Sequence, residues 1–464
     1  MTRVPVTALP SHELLVFLMQ LAVLLSLATV LGRVARRYGL PVVVGELLAG
    51  VVLGPSVLGH AIPSVSGWLL PARPDQMRLL EAFSQFAVVL LVGVTGLQVD
   101  VRALWRRRRT LGTVSATSLS APFVLGVAGG AVVPAVMVGH VPRTQFAVFL
   151  GVLLSLSSLP VIAKTLGDLG LLHREVGQLT MGSASLQDAV GWLLLSLSAS
   201  VAVHGADPRH MAAIGVRLVA FLAVAATAGR LAVRAVLRTV ERAAEPGLAT
   251  ATGVIVVVLG AAAAQAVGLE AVFGAFVAGV VVGSAGASAL GDVGSLRSVT
   301  TSVLAPIFLA TAGLHVDARA LRGAPAVLTT LLVLALATTG KLAGGYAGGR
   351  MSRLGHWRSL ALGGALNARG VVEIVAAAVG LRVGLLTPAM YTVVVLVALA
   401  TSVMAGPLLV WATARGDAAA AAVSDDDAAR SQPQLPAAAR ARRPTPTGTV
   451  HLSSSGVMRG DGER

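Results

Sequence analysis

Few residues in this chain can do chemistry, and several of them stand where charge is expensive. Asp188 lies in the run Ser183-Ala184-Ser185-Leu186-Gln187-Asp188-Ala189-Val190. Lys341, Arg369 and Glu373 also fall inside long apolar stretches, with Glu46 near the start of another. A carboxylate in such surroundings can hold a dehydrated alkali cation or a proton, but not both. That exclusion is the simplest machine for exchanging one for the other. The plainer alternative for Asp188 is a buried acid satisfied by neighbouring hydroxyls. Lys341 is notable by contrast: of 36 basic residues only Lys164 and Lys341 are lysines. A buried lysine can release its proton, whereas an arginine effectively cannot. We therefore expect an Asp188–Lys341 ion pair that opens when a cation binds, against the alternative that Lys341 is incidental. Arg369 and Glu373 are four residues apart, hence on one helix face. They read as a structural ion pair, with Arg369 neutralising exposed carbonyls. Lys164 reads as a helix-end charge, and Glu46 as lining an approach or exposed in a loop.

The elements that position these residues are membrane helices. The 464 residues are 55% hydrophobic and 12% charged, about half the charged share of a soluble domain, with a mean hydropathy of +0.81. This excludes a soluble enzyme and a disordered chain, and zero cysteines exclude a disulfide scaffold. The net charge of +15 would suggest nucleic acid in a polar protein. Here the arginines lie in clusters between apolar runs of about 20 residues, the length that crosses a bilayer. Thirteen spans are expected: 12–32, 39–58, 83–99, 111–137, 145–166, 176–203, 213–237, 248–268, 269–286, 299–315, 325–348, 358–380 and 388–413. Alternate loops carry the basic clusters, such as Arg106 to Arg109 and Arg230/Arg234/Arg238/Arg242. One side collects eighteen basic residues and the other nine. The positive-inside rule then places the N-terminus outside and the C-terminus in the cytoplasm of a multi-pass cell-membrane protein. The first run reads as a retained span rather than a signal peptide. Residues 1–415 form the transmembrane domain. Residues 416–464, rich in Ala, Asp, Arg, Pro and Ser, read as a disordered cytoplasmic tail too short for a nucleotide-binding domain.

The spans repeat. Ala49-Gly50-Val51-Val52-Leu53-Gly54 matches Ala278-Gly279-Val280-Val281-Val282-Gly283, and Gly96-Leu97-Gln98-Val99-Asp100 matches Gly313-Leu314-His315-Val316-Asp317. Two interrupted spans match as well: Ser155-Leu156-Ser157-Ser158-Leu159-Pro160, and Ala365-Leu366-Asn367-Ala368-Arg369-Gly370. Each pair is separated by seven spans, an odd number, so partners cross the membrane in opposite directions. Inverted repeats with broken helices meeting near the midplane are the architecture of many secondary transporters. Pro160 removes an amide donor. Ser155, Ser157 and Ser158 can satisfy freed backbone groups or offer oxygens to an ion. Asn367 and Gly370 loosen the helix around Arg369. A Pro kink without function is the alternative for the first break alone.

No metalloprotease, Walker or nucleophile-elbow motif occurs in a convincing context. His60, His140, His204 and His315 are too scattered for a metal site. No enzyme, no cofactor, no nucleic-acid partner and no metal beyond a transported monovalent cation are expected. With Gly45-Glu46-Leu47-Leu48-Ala49-Gly50, Gly54-Pro55-Ser56, Gln187-Asp188, Lys341 and Asn367-Ala368-Arg369-Gly370-Val371-Val372-Glu373 together, residues 12–413 resemble the monovalent cation:proton antiporter-2 family. This family includes Kef-type potassium/proton and Nap-type sodium/proton antiporters. The resemblance implies the sodium/proton antiporter fold, a homodimer and an elevator-like alternation. It places Asp188 at the shared ion- and proton-binding carboxylate and Lys341 at the position that often pairs with it. Many sodium-transporting members have two adjacent acids where this chain has Gln187-Asp188, which is closer to the potassium-associated branch. K⁺ and Na⁺ therefore both stay open as cargo. The other reading is a sodium-coupled organic-solute symporter on the same fold, which should show a larger polar cavity.

Overall fold

The computed structural model describes residues 10–70, 74–99, 106–139, 141–204, 208–243, 246–286, 293–317, 319 and 323–431. His140, Arg3, Arg73, Arg102, Arg322 and the tail from 432 lie outside them. The described chain is helical, apart from one isolated bridge between Val138 and Leu386. Eleven helices are long and apolar enough to cross a bilayer, and a pair bent by 43°, His356–Leu366 with Val371–Arg382, makes a twelfth. The shorter apolar helix Ala271–Gly286 occupies the ninth expected span, which completes the thirteen.

We label the elements used below α1 (Ser11–Arg37), α2 (Val42–Leu53), α3 (Pro74–Leu97) and α4 (Arg108–Val132). The first broken span is α5 (Arg143–Ser155) and α6 (Leu159–Asp168), followed by α7 (Glu175–His204). Then come α8 (Pro208–Val224), α9 (Arg230–Ala243), α10 (Pro246–Ala266) and α11 (Ala271–Gly286). The last are α12 (Ala305–Leu314), α13 (Ala324–Met351), the second broken span α14 (His356–Leu366) and α15 (Val371–Arg382), and α16 (Pro388–Ser431).

Several boundaries differ from the sequence expectation by five residues or more, and three of them are informative. α3 starts at Pro74 rather than near 83, because a proline is well placed at a helix start. The tenth span begins at Val293 and passes through a π-helical turn at Thr300–Leu304 before α12. α16 runs on to Ser431, through Ala418 to Ala422, good helix formers that a composition-based reading counted as tail.

The inverted repeat is visible in which glycines touch. Hydrocarbon gives no hydrophobic reason for one helix to pack on another, so close approach over small residues supplies the contact. A methyl group at Gly50 of α2 would overlap the Ala310 carbonyl and the Gly313 backbone of α12. The repeat maps Gly50 onto Gly279 and Gly313 onto Gly96, so it requires a second crossing between α11 and α3. That crossing is present. A methyl group at Gly279 would overlap the Gly93 carbonyl, and one at Gly96 the Phe276 carbonyl. The two broken spans map onto each other and meet at their breaks. Both are deeply buried, and Phe146, Phe149, Leu150, Leu153 and Leu154 of the first pack in one core with Trp192 and Tyr391.

Gly50→Ala or Gly279→Ala should therefore lower stability by about 1–3 kcal/mol through overpacking. Gly112→Ala, where a methyl group meets nothing within 4 Å, should be neutral or slightly stabilising. Thermal melting of the purified protein in detergent separates these outcomes.

Candidate functional site

A helix that ends leaves its last four carbonyls without intrahelical partners. In α5 these belong to Val152, Leu153, Leu154 and Ser155. The chain cannot continue as helix because Pro160, within the first turn of α6, has no amide hydrogen. Each carbonyl receives a specific donor. The Ser155 hydroxyl donates to Val152 O at 2.7 Å. Arg369 donates through Nη1 to Leu153 O at 3.0 Å and through Nη2 to Leu154 O. Lys341 Nζ donates to Ser155 O at 2.5 Å. Two cations thus sit at the negative end of the α5 dipole, the favourable arrangement.

The opposite break is satisfied differently. Ser158 N donates to Ala368 O at 2.9 Å, and the Ser402 hydroxyl donates to Arg369 O. The Ser157 hydroxyl lies 2.9 Å from Leu366 O and 3.0 Å from Gln187 Oε1, and with one hydrogen donates to one at a time. Gly370, at φ +156°, adopts a backbone that side chains rarely permit. A Cβ there would also press on Val161 at 2.9 Å. Asn367 is fully buried, and neither atom of its amide has a protein partner. Arg369 Nη1 also lies 3.1 Å from Glu373 Oε1, both side chains buried, with Glu373 in the first turn of α15. An acid at a helix N-terminus is in turn favourable.

Asp188 and Gln187 enter from α7. Asp188 is 1% exposed, and neither carboxylate oxygen has a hydrogen-bond partner in the protein. The expected Asp188–Lys341 ion pair is not formed. Lys341 is fully buried and points its ammonium at the Ser155 carbonyl and at Gln187 Oε1, the latter at 2.8 Å. The physical reason is the break itself: a freed carbonyl and a side-chain amide oxygen offer two acceptors at one spot. The structure thus gathers Ser155, Ser157, Gln187 and Lys341 into one hydrogen-bonded cluster, with Arg369 and Glu373 on its flank. Pro160 and Gly370 shape the breaks. Ser158 contributes its amide rather than its hydroxyl, which is unpartnered. Ser402 was missed by sequence reasoning, where only its place in an apolar run could have marked it.

Two cavities approach this crossing from opposite ends of α3 and α12. One, of about 590 Å³, is lined by Glu46, Gln98, Lys164, Arg297, Pro160 and Val371, among others. The other, of about 460 Å³, is lined by Glu81, Ser84, His315, Arg382 and Tyr391, among others. Asp188 lines neither. Lys164 and Glu46 are thus cavity-lining residues, and His315 lies at the far end from them. Among the described residues no group of three or more His, Asp or Glu could hold a metal ion.

A family model described as "Sodium/hydrogen exchanger, transmembrane" matches residues 22–415. The Na(+)/H(+) antiporter NhaS4 of Synechocystis sp. is 28% identical over 409 residues, covering 86% of this chain and 98% of that protein. Cation/H(+) antiporter 18 of Arabidopsis thaliana is 27% identical over 398 residues, covering 84% of this chain and 48% of its own length. The chain therefore spans about half of that plant relative. The Na(+)/H(+)-K(+) antiporter GerN of Bacillus cereus is 26% identical over 393 residues, covering 85% of this chain and 95% of that one. The solved structure of the sodium proton antiporter MjNhaP1 from Methanocaldococcus jannaschii superposes with a TM-score of 0.62 at 16% identity, covering 87% of this chain and 98% of that chain, and so shares the fold.

Removing one partner of a buried charge pair leaves the other uncompensated, at about 3–5 kcal/mol. Arg369→Gln should cost this much, because it also uncaps two carbonyls. In Arg369→Gln/Glu373→Gln the orphaned carboxylate is gone, so the double variant should melt higher than Arg369→Gln. An equal or lower melting temperature for the double variant would refute the pairing.

Proposed function

Because the chain belongs to the sodium/hydrogen exchanger transmembrane family, we propose that it exchanges a monovalent cation, K⁺ or Na⁺, for protons by alternating access, with Asp188 as the shared carboxylate. The observation that carries this reading is the state of Asp188: a buried acid whose two oxygens have no partner in the protein. Buried polar groups are almost always satisfied, and a bare carboxylate away from water is costly. A proton or a dehydrated alkali cation would supply what the protein does not. Since one carboxylate takes one or the other, arrival of the second cargo requires departure of the first.

The surroundings suit this task. Gln187 Oε1 and the Ser155 and Ser157 oxygens cluster beside the acid's own helix, and Lys341 holds Gln187 in place. The two cavities end on opposite sides of the crossing without including Asp188. Movement of the crossing, rather than opening of a continuous pore, would then present the carboxylate to each side in turn. We place the arginine-rich ends of the helices in the cytoplasm by the positive-inside rule. The named relatives transport Na⁺, K⁺ or an unspecified cation, so both cargoes belong in the test.

In proteoliposomes carrying a pH dye, addition of Na⁺, K⁺ and Li⁺ separately should give proton movement with at least one of them. Asp188→Asn should reduce the rate at least tenfold while leaving melting of the purified protein near wild type. Full activity in Asp188→Asn would rule out the carboxylate as the shared site.

A further inference from the structure

α9 carries Arg230, Arg234, Arg238 and Arg242, one every four residues. This spacing places them on one helix stripe, while Val233, Leu237 and Val240 are buried against the protein. Like charges at this spacing repel one another, so the stripe favours a counter-charge. Arg238 and Arg242 are exposed and Arg234 is half-buried, and none of the three makes a hydrogen bond or ion pair among the described residues. Arg230 reaches back to the protein: its Nη2 lies 3.4 Å from the Ser284 carbonyl, near the end of α11, while its Nε is buried without a partner.

Directly beside Arg230 lies a groove of about 490 Å³ between α8, α10 and α11. Its walls are apolar, including Phe221, Val224, Leu259, Ala263 and Val277; it ends at Gly229, Val233 and Val281 on one side and at Arg217 and Val267 on the other. Ser284 is about one helical turn beyond Val281, so the guanidinium of Arg230 stands at the mouth of the groove. The π-helical turn Ala225–Gly229 joins α8 to α9 at the same place. The α8 face outside the groove stays open, with Val216 and Val219 each more than 60% exposed.

We propose that groove and stripe together bind a phospholipid with an anionic headgroup, drawn from the leaflet at the arginine-rich ends of the helices. Its acyl chain would lie along Phe221, Leu259 and Ala263, and its phosphate between Arg230 and Arg234. Between its two ends the groove offers only apolar contact, which suits an acyl chain, while the guanidinium fork matches phosphate geometry. A zwitterionic lipid would bring its own ammonium group against four arginines. A second copy of this chain, related by a two-fold axis along the membrane normal, would set its arginine stripe at the same depth against this one. Charge complementarity therefore selects an anionic lipid over both. This inference goes beyond the exchange reaction and does not depend on Asp188.

The test is thermal melting of the delipidated full-length protein in detergent, titrated with phosphatidylglycerol, phosphatidylcholine or inorganic phosphate. Phosphatidylglycerol should raise the melting temperature by several degrees, and the other two should not. Arg230→Gln/Arg234→Gln should lose more than half of that shift. Ala263→Phe, which fills the groove and keeps all four arginines, should do the same. Arg238→Gln/Arg242→Gln, further along the stripe, should retain most of it. The proposal is overturned if inorganic phosphate or phosphatidylcholine reproduces the shift. Equal loss in both arginine double variants would mean diffuse surface charge instead. Ala263→Phe changing the oligomeric mass while the lipid response persists would assign the groove to a second copy.

Discussion

Everything at the centre of this protein depends on how the cut end of α5 is capped. A helix that stops at membrane depth presents carbonyls where no water can reach them, and unwound backbone survives there only when protein supplies the donors. Here the donors are a hydroxyl, a guanidinium and an ammonium, from Ser155, Arg369 and Lys341. The cations come from two other spans, α13 and the break before α15, so capping one helix also ties three spans together. Arg369 is balanced in turn by Glu373 one helical turn later. The cost of burying these charges is offset by carbonyls that would otherwise be orphaned.

The same constraint explains why the fold is built from an inverted repeat. Two breaks that meet can satisfy one another, as Ser158 N does with Ala368 O and Ser157 with Leu366 O. The flanking crossings follow the pseudo-symmetry: α2 on α12 through Gly50 and Gly313, and α3 on α11 through Gly96 and Gly279. The repeat does not extend to chemistry. Cations cap α5, whereas hydroxyls and backbone amides cap α14. One break is held by charge and the other by neutral groups, an asymmetry that puts the polar cluster beside α7 and Asp188.

Much of this was legible in the sequence, for a physical reason. Charged residues are rare inside apolar runs, so Asp188, Lys341, Arg369 and Glu373 identify themselves by their cost. The capping role of Arg369 followed from its place at a break. The partner of Lys341 did not follow, because backbone carbonyls leave no mark in a sequence. Charge complementarity suggested Asp188, and the freed Ser155 carbonyl with Gln187 Oε1 took its place. Ser402 escaped notice for the same reason, since its acceptor is the Arg369 carbonyl. The π-helical turns at Ala225–Gly229 and Thr300–Leu304 arise from packing, with no local residue signal.

The geometry of Lys341 also bears on why a chain so rich in arginine keeps a lysine here. Its nitrogen serves two acceptors, Ser155 O and Gln187 Oε1. An ammonium has three hydrogens, so these two acceptors leave one uncommitted. A neutral amine has two, enough to keep both caps. Lys341 can therefore give up a proton without uncapping α5, whereas Arg369, whose guanidinium does not deprotonate, fixes its two carbonyls permanently. Counting charge gives the same division of labour. With all groups ionised, Lys341 and Arg369 balance Asp188 and Glu373, and under the proposed exchange a proton or an alkali cation on Asp188 would raise the site by the same single charge. The two proposed cargoes would then be electrostatically equivalent to the surrounding helices. In the proposed exchange Lys341 is the base in the cluster that could release a further proton, because it can change its charge without breaking the structure that holds it.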